Sequence, residues 1–156
     1  MENKFKSLLM FVLLAWTSVQ YANAYDFSAV NDDGVTIYYN ILSEEDKTCE
    51  VTRESNNPYS SIKYTGDLNI PSIANKAGIN YTVTTIGEYA FQECNNLKSV
   101  TIANSVITIK SYAFGHCESL SSVTIPNSVV EMEDAPFFRC PKLSAIYGEY
   151  ASEDHR

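Results

Sequence analysis

The downstream half of this chain repeats every 23 residues, and that period constrains its folding more than any other feature. Phe91, Phe114 and Phe137 keep the step, as do Cys94, Cys117 and Cys140, and Leu97, Leu120 and Leu143. Val100, Val123 and Ile146 follow it, and so do Ile86, Ile109 and Met132. Residues 86–108 and 109–131 are identical at 13 of 23 positions. A fixed period of this size makes each repeat one supersecondary unit. Such a unit cannot bury its apolar face alone and must stack on its neighbours.

Within each unit the spacing separates strand from turn. In LKSVTI and LSSVTI the apolar residues stand at positions 1, 4 and 6. Val100 and Ile102 alternate about a solvent-facing Thr101, as a half-buried strand requires. Stacking pairs these short strands into a parallel sheet, and every apolar position becomes a ladder through the core. Phe91, Phe114 and Phe137 fill its bulky side. Ala90 and Ala113 allow close turning. The segment EYAFQEC is too short for an independent helix, so one helical or 3₁₀ turn is expected there. Pro126 and Asn127 suit the turn after a strand. The expected fold is therefore a β-rich leucine-rich-repeat solenoid, with short parallel strands and helical or 3₁₀ turns on the other side.

Upstream the pattern loosens. Leu68-Asn69-Ile70-Pro71 resembles Val123-Thr124-Ile125-Pro126, which makes it an earlier coil with a 9-residue insertion centred on Asn75–Gly78. A surface loop is expected there. Residues 25–66 do not repeat. Val35, Ile37, Tyr39 and Ile41 alternate as a strand after the Asp33-Gly34 turn signal. Thr48–Thr52 reads as a second strand, with Glu44-Glu45-Asp46-Lys47 as the turn between them. These strands are expected to cap the N-terminal end, which would otherwise expose a bare apolar edge.

Residues 1–24 read as a secretory signal peptide. Lys4 and Lys6 supply its positive start, the run from Leu8 to Trp16 its apolar centre, and Ala22-Asn23-Ala24 its cleavage site. The apolar run is short for a bilayer span of about 20 residues, so no membrane span is expected after cleavage. Cleavage would leave 132 residues with 9 basic and 18 acidic side chains, a charge of −9, and no tryptophan. The domain reading is thus 1–24 signal peptide, 25–66 N-terminal β cap, and 67–156 repeat array with an uncapped C-terminal end.

Chemistry-bearing residues are few. The net charge of −8 argues against nucleic acid and anionic lipid, which need clustered Lys and Arg. His116 and His155 are the two histidines, too few for a His-based metal site or acid–base pair. His116 aligns with Glu93 in the preceding repeat, a position read as an exposed turn. No nucleophile motif such as G-x-S-x-G occurs, so no catalytic residue and no cofactor is assigned. Export makes disulfides possible, but Cys94, Cys117 and Cys140 stand in repeat register. They read as buried free thiols with Cys49 left over, and cysteines strung on a ladder do not converge on a metal. Glu131, Glu133 and Asp134 lack the spacing of a calcium loop and read as a solvated turn.

The candidate ligand-binding residues are Lys98, Ser99, Thr101, Ser121, Ser122 and Thr124, with Asp67 and Asn69 beside them. They are strand positions that the core does not need. Solvent-facing strand residues are polar in any case, yet extended faces of this kind are where repeat proteins bind. Tyr38, Tyr59, Tyr64 and Tyr81 give the N-terminal half an aromatic excess that serves an interface or packing equally well.

The motifs I-G-E-Y-A-F-Q-E-C-N-N-L-K-S-V-T-I-A-N-S-V at Ile86–Val106 and I-K-S-Y-A-F-G-H-C-E-S-L-S-S-V-T-I-P-N-S-V at Ile109–Val129 resemble the BspA-like leucine-rich-repeat family of bacterial surface and secreted proteins. Tyr64-Thr65-Gly66-Asp67-Leu68-Asn69-Ile70-Pro71 and Tyr81–Ile86 resemble the family's first coil. The resemblance implies surface display or secretion and an adhesive role toward an extracellular protein or glycan, without catalysis. It does not name a ligand, because such folds host many. The chain departs from the family after Leu143, where further repeats usually follow. A truncated member, or completion by self-association through the open C-terminal end, is expected from this. The alternative to a binding module is a structural N-terminal piece of a longer array with no ligand of its own.

Overall fold

The computed structural model describes residues 24–55 and 64–148. The signal-peptide assignment (apart from Ala24), Tyr59, His155 and the segment after Gly148 lie outside the described residues. Eleven strands follow in order: β1 (Phe27–Val30), β2 (Thr36–Ser43), β3 (Thr48–Thr52), β4 (Thr65–Ile70), β5 (Ile73–Lys76), β6 (Ile79–Ile86), β7 (Asn96–Ile102), β8 (Thr108–Ile109), β9 (Ser122–Thr124), β10 (Glu131–Met132) and β11 (Ala145–Tyr147). No helix occurs among the described residues, and so none is long and apolar enough to cross a membrane.

Two sheets hold these strands. The larger runs β1-β2-β3-β6-β8-β10, with β5 also paired to β6; the smaller runs β11-β9-β7-β4. From β6 onward the chain alternates between them, so each coil adds one strand to each sheet. The pairing is parallel and in repeat register. Ile86 faces Ile109, which faces Met132. Val100 faces Val123, which faces Ile146. The cause is simple: residues a whole period apart have the same side-chain direction, so only this register keeps every apolar residue on the core side.

The core is one contiguous cluster between the sheets and the turns. Phe91, Phe114 and Phe137 stack face to face, with ring centroids 5.0 and 5.4 Å apart. Leu97, Leu120 and Leu143 are buried beside them. The cysteines add a polar ladder. The Cys117 thiol donates to the Phe91 carbonyl at 3.2 Å and the Cys140 thiol to the Phe114 carbonyl at 3.0 Å. Each thiol thereby satisfies a carbonyl of the preceding coil while filling a small apolar space. None of the four cysteines is in a disulfide.

Two expectations are corrected. The turn segments are not helical. Ala90, Gln92 and Cys94 donate to Gly87, Tyr89 and Phe91, but these are isolated turns. Tyr89, Phe91 and Glu93 turn their N–H groups sideways instead, onto the carbonyls of Ser111, Ala113 and Gly115 in the next coil. Left-handed φ values at Tyr89 (57°) and Glu93 (60°) make this possible, and they recur at Tyr112, His116, Ala135 and Arg139. A 3₁₀ helix cannot contain such residues, because left-handed φ breaks its right-handed run.

The insertion around Asn75–Gly78 is likewise not a loop. It forms the β5–β6 hairpin, with Ile73 opposite Thr82 and Lys76 opposite Ile79. Ala77 (φ 50°) and Gly78 (φ 88°) make the tight turn that two-residue hairpins need. Burial of Ala74, Tyr81 and Val83 anchors it to the core.

Toward the N-terminus, β1, β2 and β3 extend the larger sheet, β3 pairing parallel with β6. Asn31 shapes the β1–β2 turn. Its Oδ1 accepts the Asp33 and Val35 N–H groups at 3.1 and 2.8 Å. Lys110 joins these strands to the coils through an ion pair to Glu50 at 2.7 Å.

Candidate binding surface

The smaller sheet presents two rows of side chains to solvent. One runs Asp67, Ser99, Ser122 and Ala145; the other runs Asn69, Thr101, Thr124 and Tyr147. The rows arise because Leu68, Val100, Val123 and Ile146 point the other way, into the core.

The six candidate residues divide by what already holds them. Ser99 donates to the Asp67 carboxylate at 2.6 Å, and Ser121 donates to the Lys98 carbonyl at 3.0 Å. These two hydroxyls are engaged in joining coils. Thr101, Ser122 and Thr124 have no side-chain hydrogen bond among the described residues, and Thr101 and Thr124 are exposed. Lys98 stands off the rows. Gly66 faces Leu97 and Asp67 faces Ser99, so Lys98 is the extra residue of a bulge in β7. Its exposed side chain lies beside the rows rather than within them.

The β1–β2 turn closes one end of the face. Asn69 donates to Asp33 at 2.8 Å, and Asn31 donates to the Asn69 carbonyl at 2.8 Å. The other end carries Tyr147, which is 58% exposed. The surface between is polar, shallow and rich in hydroxyls.

A second surface feature escaped the sequence reading. Tyr89 and Tyr112 share a repeat position and stack at 5.6 Å. Arg53 lies over Tyr89 at 5.8 Å, and Phe138 meets Tyr112 edge-on at 5.7 Å. The signal was present in EYAF and SYAF, but those tyrosines precede the conspicuous Ala-Phe pair. Their ring faces are occupied by one another, so the stripe chiefly braces the turns.

Burial pushes the Cys49 thiol up to about 12. Hydrogen bonding to the Cys140 and Cys94 thiols, then burial, holds Cys117 well above the ordinary thiol range. Thiols held in that way stay protonated and unreactive. Among the described residues no three His, Cys, Asp or Glu side chains are grouped to hold a metal.

The repeat family described as BspA type Leucine rich repeat region matches residues 68–152 in six copies. The chain belongs to that BspA-type leucine-rich-repeat family. Among solved structures it is similar to the leucine-rich repeat protein of T. pallidum, with a TM-score of 0.56 and 21% identity over 73% of this chain and 51% of that one. It also matches a leucine-rich repeat protein from Bacteroides ovatus, with a TM-score of 0.48, 24% identity and coverage of 79% and 41%. The pneumococcal vaccine antigen PcpA matches with a TM-score of 0.49, 16% identity and coverage of 83% and 40%. The BspA-type chain therefore spans about half the length of these solved chains, or less. No curated protein matches.

Proposed function

We propose that this BspA-type protein is an exported, non-catalytic binding module whose coils are turns of a solenoid. Its smaller sheet is the face offered to an extracellular protein or glycan. The observation that carries the reading is the double row of small polar side chains on a rigid parallel sheet, with the Thr101, Ser122 and Thr124 hydroxyls uncommitted. Uncommitted donors and acceptors on a preorganised surface bind without first breaking internal bonds. Export rests on the signal-like residues 1–24. In this reading residues 25–66 cap the first coil.

A second reading is a structural N-terminal piece of a longer array, completed by further coils or by self-association. It is favoured by the match to the T. pallidum protein, of whose solved chain this chain covers 51%. The two separate in one experiment. The chain lacking residues 1–24 is applied to immobilised matrix proteins and to a glycan array, beside a Lys98→Glu/Ser122→Lys variant. Binding that the variant loses supports the sheet face. Unchanged affinity removes that face from the reading, and no binding by the parent leaves the structural role.

A further inference from the structure

A pocket of about 540 Å³ opens between the turns at residues 116–119 and 139–142 of two adjacent coils, lined by His116, Glu118, Ser119, Arg139, Pro141 and Lys142. None of these residues belongs to the sheet face. Three features set the pocket apart.

The first is charge. The chain carries −8, yet Arg139 and Lys142 converge here. Lys47 and Lys110 pair with Glu44 and Glu50, at 3.3 and 2.7 Å. Arg139 and Lys142 meet no carboxylate among the described residues.

The second is that the repeat does not require these residues. One turn position carries Glu93, then His116, then Arg139. Another carries Asn96, then Ser119, then Lys142. The backbone is the same at each, with left-handed φ at Glu93, His116 and Arg139 alike. The fold accepts an acid, an imidazole or a guanidinium there, so packing does not explain the cations of the last coil.

The third is rigidity. The His116 N–H donates to the Phe138 carbonyl at 2.7 Å, and Cys140 to the Phe114 carbonyl at 3.0 Å, which locks the two walls together. Phe138 holds the Arg139 guanidinium over its ring at 5.4 Å and the His116 ring edge-on at 5.6 Å.

Glu118 decides the ligand class. A polyanion would set its second charge against that carboxylate. A ligand with one anionic group and several hydroxyls would not: its anion meets Arg139 and Lys142, and its O–H groups donate to Glu118 and Ser119. We propose that this pocket binds a sugar acid, with the carboxylate on Arg139 and Lys142 and the ring hydroxyls on Glu118 and Ser119. The pocket is an open depression with room for one or two sugar rings.

The test uses the full chain with methyl β-D-glucuronide as probe and methyl β-D-glucoside as its neutral counterpart, read by amide chemical shifts and calorimetry. Glucuronide is expected to shift amides of 116–119 and 139–142, and glucoside is not. Arg139→Glu and Lys142→Glu should each weaken binding about tenfold or more, the scale of a lost charge-assisted contact. All three polar substitutions, including Glu118→Gln, fall on accessible side chains, so thermal midpoints should stay put. Glu118→Gln should strengthen binding of inorganic sulfate more than that of glucuronide, because both anions lose a repulsive neighbour but only the saccharide hydroxyls lose a charged acceptor.

Sulfate binding as tightly as glucuronide overturns the saccharide assignment, and a glutamate-rich peptide binding more tightly does the same. Glucuronide that fails to bind, or whose affinity survives both charge reversals, overturns the site. These results are independent of the sheet face, whose own variant changes neither Arg139 nor Lys142.

Discussion

Replacing Gly87 by alanine tests how the first coil joins the N-terminal strands. Glycine-to-alanine changes at unstrained positions usually stabilise by about 0.4–1 kcal/mol, by restricting the unfolded chain. Here the opposite sign is expected. The Gly87 N–H donates to the Val51 carbonyl at 2.8 Å, and a Cβ on Gly87 would stand 2.6 Å from that same oxygen. Val51 is fully buried in β3, so its carbonyl has no room to retreat. Relief requires β3 and the first coil to part, which strains packing by about 1–3 kcal/mol and weakens a hydrogen bond of about 1 kcal/mol. Less the entropic gain, the net loss is about 1–3 kcal/mol. Gly115 is the internal control. Its Cβ would meet the Tyr112 carbonyl at 3.3 Å, and the same repeat position holds Gln92 and Phe138. Gly115→Ala should therefore be neutral or stabilising. Urea unfolding followed by circular dichroism reads both. Stability of Gly87→Ala equal to or above the parent would refute the close-approach argument.

Three further outcomes are expected. Leu120→Ala should cost about 2–5 kcal/mol in urea unfolding, because Leu120 is fully buried at the same repeat position as the buried Leu97 and Leu143; a loss under about 0.5 kcal/mol, typical of surface sites, would refute the ladder. Lys110→Met should cost about 1–2 kcal/mol, between the exposed and buried limits, because it leaves the mostly shielded Glu50 carboxylate unpaired; no change would mean that water already compensates that charge. Tyr81 is raised from 10.0 to about 12 by its hydrogen bond to Glu44 and then by burial. Its share of stability is therefore complete below pH 10 and is lost as pH rises through about 12. Tyr81→Phe should flatten the alkaline fall of the urea midpoint, with a remnant from the raised Tyr39 and Tyr64 phenols; an identical slope would refute the Glu44 contact.

Much of the architecture was legible because a repeat converts sequence distance into spatial register. Val100 and Val123, or Ile86 and Ile109, need no tertiary information to be paired once the period is known. The β2 and β3 strands were legible from alternation and the intervening acidic turn. The helical expectation for EYAFQEC failed for a physical reason. Local propensity describes a segment that must satisfy its own N–H groups, whereas Tyr89, Phe91 and Glu93 give theirs to the next coil. The loop expectation for Asn75–Gly78 failed because those polar residues form only the tip of a hairpin, whose strands are held by the buried Ala74, Tyr81 and Val83. For the candidate face, alternation identified which residues point outward. It could not distinguish Ser121, bound to the Lys98 carbonyl, from Ser122, whose hydroxyl has no such bond among the described residues.

The sequence by itself determined the period, the apolar ladders and the parallel register, because identical residues a fixed distance apart can bury together in only one alignment. Tertiary structure alone decided where the polar groups go. Hydrogen bonds between coils set the left-handed turns, committed Ser99 and Ser121, and brought Arg139 and Lys142 to one pocket with Glu118. Burial follows a pattern that repeats along the chain, whereas each polar contact depends on which neighbour the stacking happens to supply.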